Sequence, residues 1–144
     1  DLLAEQSVGI TEPLEPCGYW DKNVWARGKL DLSIRYSYPI QSVIIDYKTG
    51  KRKVDADQLM LFAGFEFALN PGVERVKTGY LWLKERKIDK EVFYPQDKAR
   101  IWGHFLPKVE RLAQAYEKDV WPCKPSGLCP WCPAKMSQCQ YSTK

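Results

Sequence analysis

The order of apolar and polar positions divides the chain into short stretches of period two and two longer stretches of helical character. Residues 3–10, around Glu5-Gln6-Ser7-Val8-Gly9-Ile10, read as a first strand, followed by a proline-rich connection through Thr11, Pro13 and Pro16 to Cys17. Val24–Ile34 and Ser42–Lys48 read as two more strands, and the turn Tyr36-Ser37-Tyr38-Pro39 between them suits an antiparallel hairpin. A helix is predicted from Asp55-Ala56-Asp57-Gln58 to about Leu69, where Asn70-Pro71-Gly72 ends it. Its interior is apolar almost all round, Gln58 excepted, so it should be buried on more than one side. Strands follow at Val76–Leu83 and Glu91–Tyr94. From Asp97 to Asp119, Ile101, Phe105, Val109, Leu112, Tyr116 and Val120 recur at three- and four-residue spacing, as in an amphipathic helix that Pro107 should kink or split. The whole reads as an α/β fold: a central mixed β-sheet of about four or five strands, helices on its faces, a C-terminal helix and a tail at 121–144.

Length and composition narrow the picture little. The 144 residues suit one domain able to bury about two-thirds of its unfolded surface. Lys and Arg number 22 against 18 Asp and Glu, and the net charge of +4 permits a polyanionic partner without demanding one. No apolar stretch approaches the ~20 residues that span a bilayer, and no secretory signal is visible. The expectation is a soluble, cytoplasmic protein. Because the chain begins with Asp and enters its first strand at once, it reads as an internal piece of a longer protein.

The chemistry concentrates in Val43-Ile44-Ile45-Asp46-Tyr47-Lys48-Thr49-Gly50, a buried-strand pattern that suddenly carries an acid and a base and then stops at a glycine. In an extended chain Asp46 and Lys48 point to one side and Ile45 and Tyr47 to the other. Asp31 lies among apolar neighbours in the preceding strand, where a charge is costly unless paired or metal-bound. Taken alone, Asp46 and Lys48 could be an ordinary surface ion pair, worth about 0–1 kcal/mol.

The ordered set Gly28-x-x-Asp31, Asp46-x-Lys48 and Gln58-x-x-x-Phe62 resembles the PD-(D/E)XK nuclease superfamily over residues 5–86. Within it the resemblance is to RecB-like exonucleases and the CRISPR-associated nucleases similar to them. It implies a restriction-endonuclease-like core in which Asp31, Asp46 and the Tyr47 backbone carbonyl hold Mg²⁺ or Mn²⁺. Lys48 would orient or activate the attacking water, and Gln58 would position the site and DNA. Phe62 stands where such relatives usually carry tyrosine. They also have a helix before the first strand that contributes a His or Glu; nothing in this sequence supplies it, and His104, the sole histidine, reads as structural. Glu5 is a candidate at the edge of the site. Lys51, Arg52 and Lys53 follow the metal site and are candidates for phosphate contacts with DNA. Aromatic side chains could stack on unpaired bases, although Trp82 and Trp102 read as core.

Four of the five cysteines lie in the tail in the spacing C-x5-C-x2-C-x6-C. Such clusters more often bind metal than form disulfides in an intracellular protein, and thiolates suit zinc or an iron-sulfur cluster. The tail resembles the iron-sulfur staple of the same nucleases, which implies Cys129, Cys132 and Cys139 as a trio. The fourth ligand could be Cys123, Cys17 or a residue outside the chain. The function expected from all this is metal-dependent DNA hydrolysis in recombination, repair, phage replication or defence. The competing readings are a non-catalytic nucleic-acid-binding module with a cysteine-ligated metal and, on Cys129 and Cys132, a dithiol redox protein.

Overall fold

A computed structural model describes residues 1–53, 57–134, 137 and 139–141. The chain divides into two compact units, residues 1–104 and 105–144. The first holds a six-stranded sheet and the helix that covers it. In chain order the strands are β1 (Leu2–Ile10), β2 (Pro16–Cys17), β3 (Ala26–Ser37), β4 (Ile40–Lys48), β5 (Arg75–Trp82) and β6 (Lys87–Phe93). Helix α1 (Asp57–Leu69) stands between β4 and β5, and α2 (Lys98–Lys118) follows a single 3₁₀ turn at Pro95–Asp97. The expected start of α1 at Asp55 and Ala56 lies outside the described residues.

The sheet order is β2-β1-β3-β4-β5-β6. All neighbours are antiparallel except β4 and β5, whose crossover is α1. This is the α/β, restriction-endonuclease-like core with a mixed sheet that the pattern implied. The sheet exceeds the expected four or five strands because the proline-rich connection folds back at Pro16 and Cys17 to pair with Ile10 and Gly9. Strand β6 is longer than Glu91–Tyr94, since Lys87–Lys90 pair with Trp82–Gly79 despite their polarity. At an edge, charged residues are no obstacle to pairing. Nor does Pro107 split α2, which continues to Lys118. Both Pro107 and Gly103, whose carbonyl loses its helical donor, are exposed, so water can replace the missing bond.

Helix α1 buries every residue from Leu59 to Phe67 except Leu61, as its apolar circumference requires. Phe65 rests on Gly28 of β3, where a Cβ would stand 3.1 Å from the ring. On the other side Ile101 and Trp102 of α2 press against Gly64 at the same distance. A second constraint is polar. Glu66 is 0% exposed, and its carboxylate receives Arg35 Nε and Nη2 at 2.9 Å each, Ser42 Oγ at 2.6 Å and Asn70 Nδ2 at 2.8 Å. A buried carboxylate is tolerated because it gathers four donors, three on Oε1 and one on Oε2. The clamp fixes the helix against β3 and β4 and so fixes where its N-terminal turn lies.

No helix among the described residues is long and apolar enough to cross a membrane.

Candidate active site

Strands β3 and β4 pair from Ser37↔Ile40 down to Leu32↔Ile45 and then part. The next rung would set Asp31 against Asp46. Instead the Tyr47 backbone N–H donates to Asp31 Oδ2 at 2.8 Å, so a carboxylate takes the place of a ladder carbonyl where the strands diverge. On its other flank Asp31 faces Glu5, which falls between the rungs Ala4↔Leu32 and Gln6↔Leu30 and has φ 50°. This left-handed backbone costs a non-glycine residue about 1–2 kcal/mol. At this point the sheet changes which residues face α1. Gly28 and Leu30 face inward on one side of Asp31, Ser33 and Arg35 on the other. Two even-numbered residues are followed by two odd-numbered ones, and Asp31 sits at the switch.

Asp46 and Lys48 share one side of β4, as strand alternation demands, and face α1. Asp46 is 5% exposed. Its Oδ1 accepts from Gln58 Nε2 at 2.9 Å, and Gln58 Oε1 accepts from Lys48 Nζ at 2.8 Å. Lys48 Nζ closes the ring as an ion pair 2.6 Å from Asp46 Oδ2. Apart from that ion pair, Oδ2 is buried with no hydrogen-bond partner among the described residues. Tyr80, opposite Asp46 on β5, places its ring 4.9 Å from Lys48 Nζ and its hydroxyl 3.5 Å from Gln58 Oε1. Gln58 thus holds the acid and the base in register from the first turn of α1. Phe62, one turn later, is buried in the core.

Residues 4–140 match the family model of the PD-(D/E)XK nuclease superfamily. The chain belongs to that superfamily. No curated protein matches it. A solved structure titled "Crystal structure of SSO0001" is similar at 18% identity and a TM-score of 0.41, covering 86% of this chain. The chain spans about half of that one, 53%.

Asp31, Asp46 and Lys48 are the residues that the sequence pattern nominates for the motif, and they lie together at the parting of β3 and β4. Among the described residues no three His, Cys, Asp or Glu side chains are gathered as an ion-holding group. The donor set nevertheless fits a hard divalent ion of the Mg²⁺ type, which is commonly held by one or two carboxylates plus substrate phosphates. Asp46 Oδ2, which among the described residues meets the Lys48 ammonium but has no hydrogen-bond partner, is the oxygen such an ion would take, and Asp31 would offer Oδ1 while its Oδ2 accepts from the Tyr47 N–H.

The three basic residues that follow the motif separate into two roles in this PD-(D/E)XK chain. Arg52 Nε donates to Asp89 Oδ2 at 2.8 Å, Arg52 Nη2 pairs with Asp89 Oδ1, and the Arg52 N–H donates to Glu85 Oε1 at 3.1 Å. The hydrogen bond from Arg52 lowers the Asp89 carboxyl below its ordinary range, with help from the Trp82 indole N–H at 2.8 Å. Lys51 and Lys53 instead line a cleft of about 440 Å³ together with Lys48, Gln58, Tyr80 and Trp82. Asp57, also on that cleft, lies 2.9 Å from His104 Nε2, so the histidine joins α2 to the start of α1.

Sequence reasoning missed Glu66, Tyr80 and Asp89. Glu66 carried a signal, as the one acid within the apolar run Leu59–Leu69; the other two gave none. Of the aromatic candidates, Trp82 and Trp102 are core, whereas Trp20 is 79% exposed with the Arg27 guanidinium 4.6 Å from its ring.

No disulfide joins any of the five cysteines, all of which are among the described residues. Cys17 lies on β2 in the first unit. In the second unit Cys123 Sγ is 3.3 Å from Cys139 Sγ, and Cys129–Trp131 form a 3₁₀ turn that returns the Cys132 N–H to the Cys129 carbonyl at 3.1 Å. The Cys123 thiol is pushed up by its hydrogen bond to Cys139, by desolvation, and by charge on Cys139, Cys129 and Cys132.

Proposed function

We propose that the chain is a divalent-metal-dependent deoxyribonuclease of RecB-like type, acting on DNA ends or single strands. The observation that carries this reading is the closed ring of Asp46, Gln58 and Lys48 beside Asp31 at the parting of two strands. Asp31, Asp46 and the Tyr47 carbonyl would hold Mg²⁺ or Mn²⁺, which when bound would supply Lewis acidity and a water more acidic than bulk water. Lys48 is placed to donate to a phosphate oxygen as charge develops or to orient the water, and a positioned donor of this kind is worth about 10²–10³ in rate. Gln58 keeps the Lys48 ammonium aimed, while the Tyr80 ring excludes water from beneath it. Lys51 and Lys53 add positive charge along the DNA path.

The test is cleavage of linear single- and double-stranded DNA with Mg²⁺, with Mn²⁺ and with EDTA. Cleavage should require metal, vanish in Asp31→Asn and Asp46→Asn, and fall on the order of 10²-fold or more in Lys48→Ala, with all three variants folded. Metal-independent cleavage, or wild-type rates in either aspartate variant, sinks the assignment. DNA binding without cleavage would favour the non-catalytic module instead.

The tail is part of the same proposal. Cys123, Cys129, Cys132 and Cys139 supply thiolates to an iron-sulfur cluster or, as the alternative, Zn²⁺. The Cys123 and Cys139 sulfurs in contact support this reading, with Cys123 rather than Cys17 as the fourth ligand.

A further inference from the structure

The cleft beside the candidate active site has a composition that the cleavage reaction alone does not require. Its floor is aromatic, made by Tyr80 and Trp82, whose rings lie 5.7 Å apart, and the polar atoms of both are committed elsewhere. The Trp82 N–H is held by Asp89, and the Tyr80 hydroxyl is directed to Gln58. The rim is cationic. Lys51 and Lys53 are exposed and form no ion pair with the described residues, whereas Lys48 is neutralised by Asp46. Among the described residues that line the cleft one carboxylate, Asp57, opposes them, and it faces His104. The segment bearing the two lysines is not a loose loop, because Arg52 between them is bound to Asp89 and Glu85 on the β5–β6 hairpin. Locking the middle residue of the triplet to one side directs its neighbours into the cleft.

A cavity of about 440 Å³ falls in the range of small-ligand pockets. An apolar floor with two ammonium groups at the rim that form no ion pair among the described residues suits an aromatic base or sugar joined to a compact anion. A phosphomonoester carries about −1.5 to −2 at pH 7, against −1 for each internal diester, so two lysines lining one cleft favour a strand terminus over the strand interior. We propose that this cleft seats the phosphorylated terminal nucleotide of a DNA strand, making the end phosphate a recognition element for the adjacent site. The proposal rests on the nuclease reading, and Arg52 enters it as a positioning residue rather than a phosphate contact.

The experiment uses one single-stranded oligonucleotide in three forms: 5′-phosphorylated, 3′-phosphorylated, and hydroxyl at both ends. Single-turnover cleavage with Mg²⁺ is compared with equilibrium binding of the same oligonucleotides in EDTA. For one phosphorylated form the wild type should be favoured over the hydroxyl form by about tenfold, the equivalent of one charge-assisted hydrogen bond; the form favoured identifies the end. In Lys51→Ala/Lys53→Ala that ratio should collapse to about one, whatever rate or affinity remains. Arg52→Ala should lower the ratio as well, while Lys84→Ala, a basic change outside the cleft, should preserve it. Equal rates and affinities for all three forms in the wild type, or an undiminished ratio in the double variant, overturn the proposal. If no DNA is cleaved but the EDTA binding ratio is present and lost in the double variant, the nuclease reading fails and the cleft assignment stands.

Discussion

Two side chains on one face of α1, Gln58 and Glu66, fix the helix to the sheet by opposite means. Gln58 is neutral and spans a charged pair; Glu66 is charged and collects four donors. Removing Glu66 leaves Arg35, Ser42 and Asn70 without their common acceptor, and breaking such a pair costs about 3–5 kcal/mol when both partners are buried. Arg35 keeps 24% of its side-chain surface in water, so Glu66→Ala should cost about 3 kcal/mol, at the low end of that range. Urea denaturation measures it, and a loss below about 1 kcal/mol would remove the clamp from the account. Sequence alternation was enough to place Asp46 and Lys48 together, because a strand leaves no other choice. It could not place Arg52, whose partner Asp89 is reached only once β5 and β6 have turned back beside the β4–α1 loop. Glu66 was readable as an anomaly in an apolar helix but not as a clamp, since its donors come from two strands.

At the level of elements, the strands and helices were legible wherever periodicity was strong and least so where polar residues pair at an edge, as in β6. The change of inward face at Glu5 and Asp31 was not legible at all. Nothing in Leu30-Asp31-Leu32 announces that alternation slips there; the slip depends on the backbone of Glu5 across the rung. The cysteine turn was legible from spacing, and its use is open to measurement. Anaerobically purified protein should contain iron with visible absorbance, or else zinc. Cys123→Ser and Cys129→Ser should each lose metal and lower the unfolding midpoint, whereas Cys17→Ser should keep the metal. Metal retained in Cys123→Ser and lost in Cys17→Ser would reverse the ligand assignment, and protein free of both metals would end it.

At the scale of the molecule, the sheet is two antiparallel blocks, β2-β1-β3-β4 and β5-β6, joined along the β4–β5 seam. Each block is held by local connections: Tyr38 and Pro39 alone separate β3 from β4, and Leu83 to Arg86 separate β5 from β6. The seam has no such help, because its strands run the same way and meet only after the chain has passed through α1. The acid–base ring and the tyrosine beside it all lie on this seam or the crossover: Asp46 and Lys48 on β4, Gln58 on α1, and Tyr80 on β5.

That arrangement sets an order of assembly. Hairpins close in about 1–10 μs, whereas contacts distant in sequence must first meet the entropy of closing a long loop. The β3–β4 and β5–β6 hairpins should therefore gain protection first and the seam last. In pulsed hydrogen exchange during refolding, amides bonded between β3 and β4 should be protected before those bonded between β4 and β5; simultaneous protection would refute the order. A chain caught before the seam closes would hold both carboxylates of the motif on one hairpin while Tyr80 remained on the other. On the proposed nuclease reading, competence for chemistry would then arrive only with the final docking event, so a nascent or partly unfolded copy would be inert toward DNA.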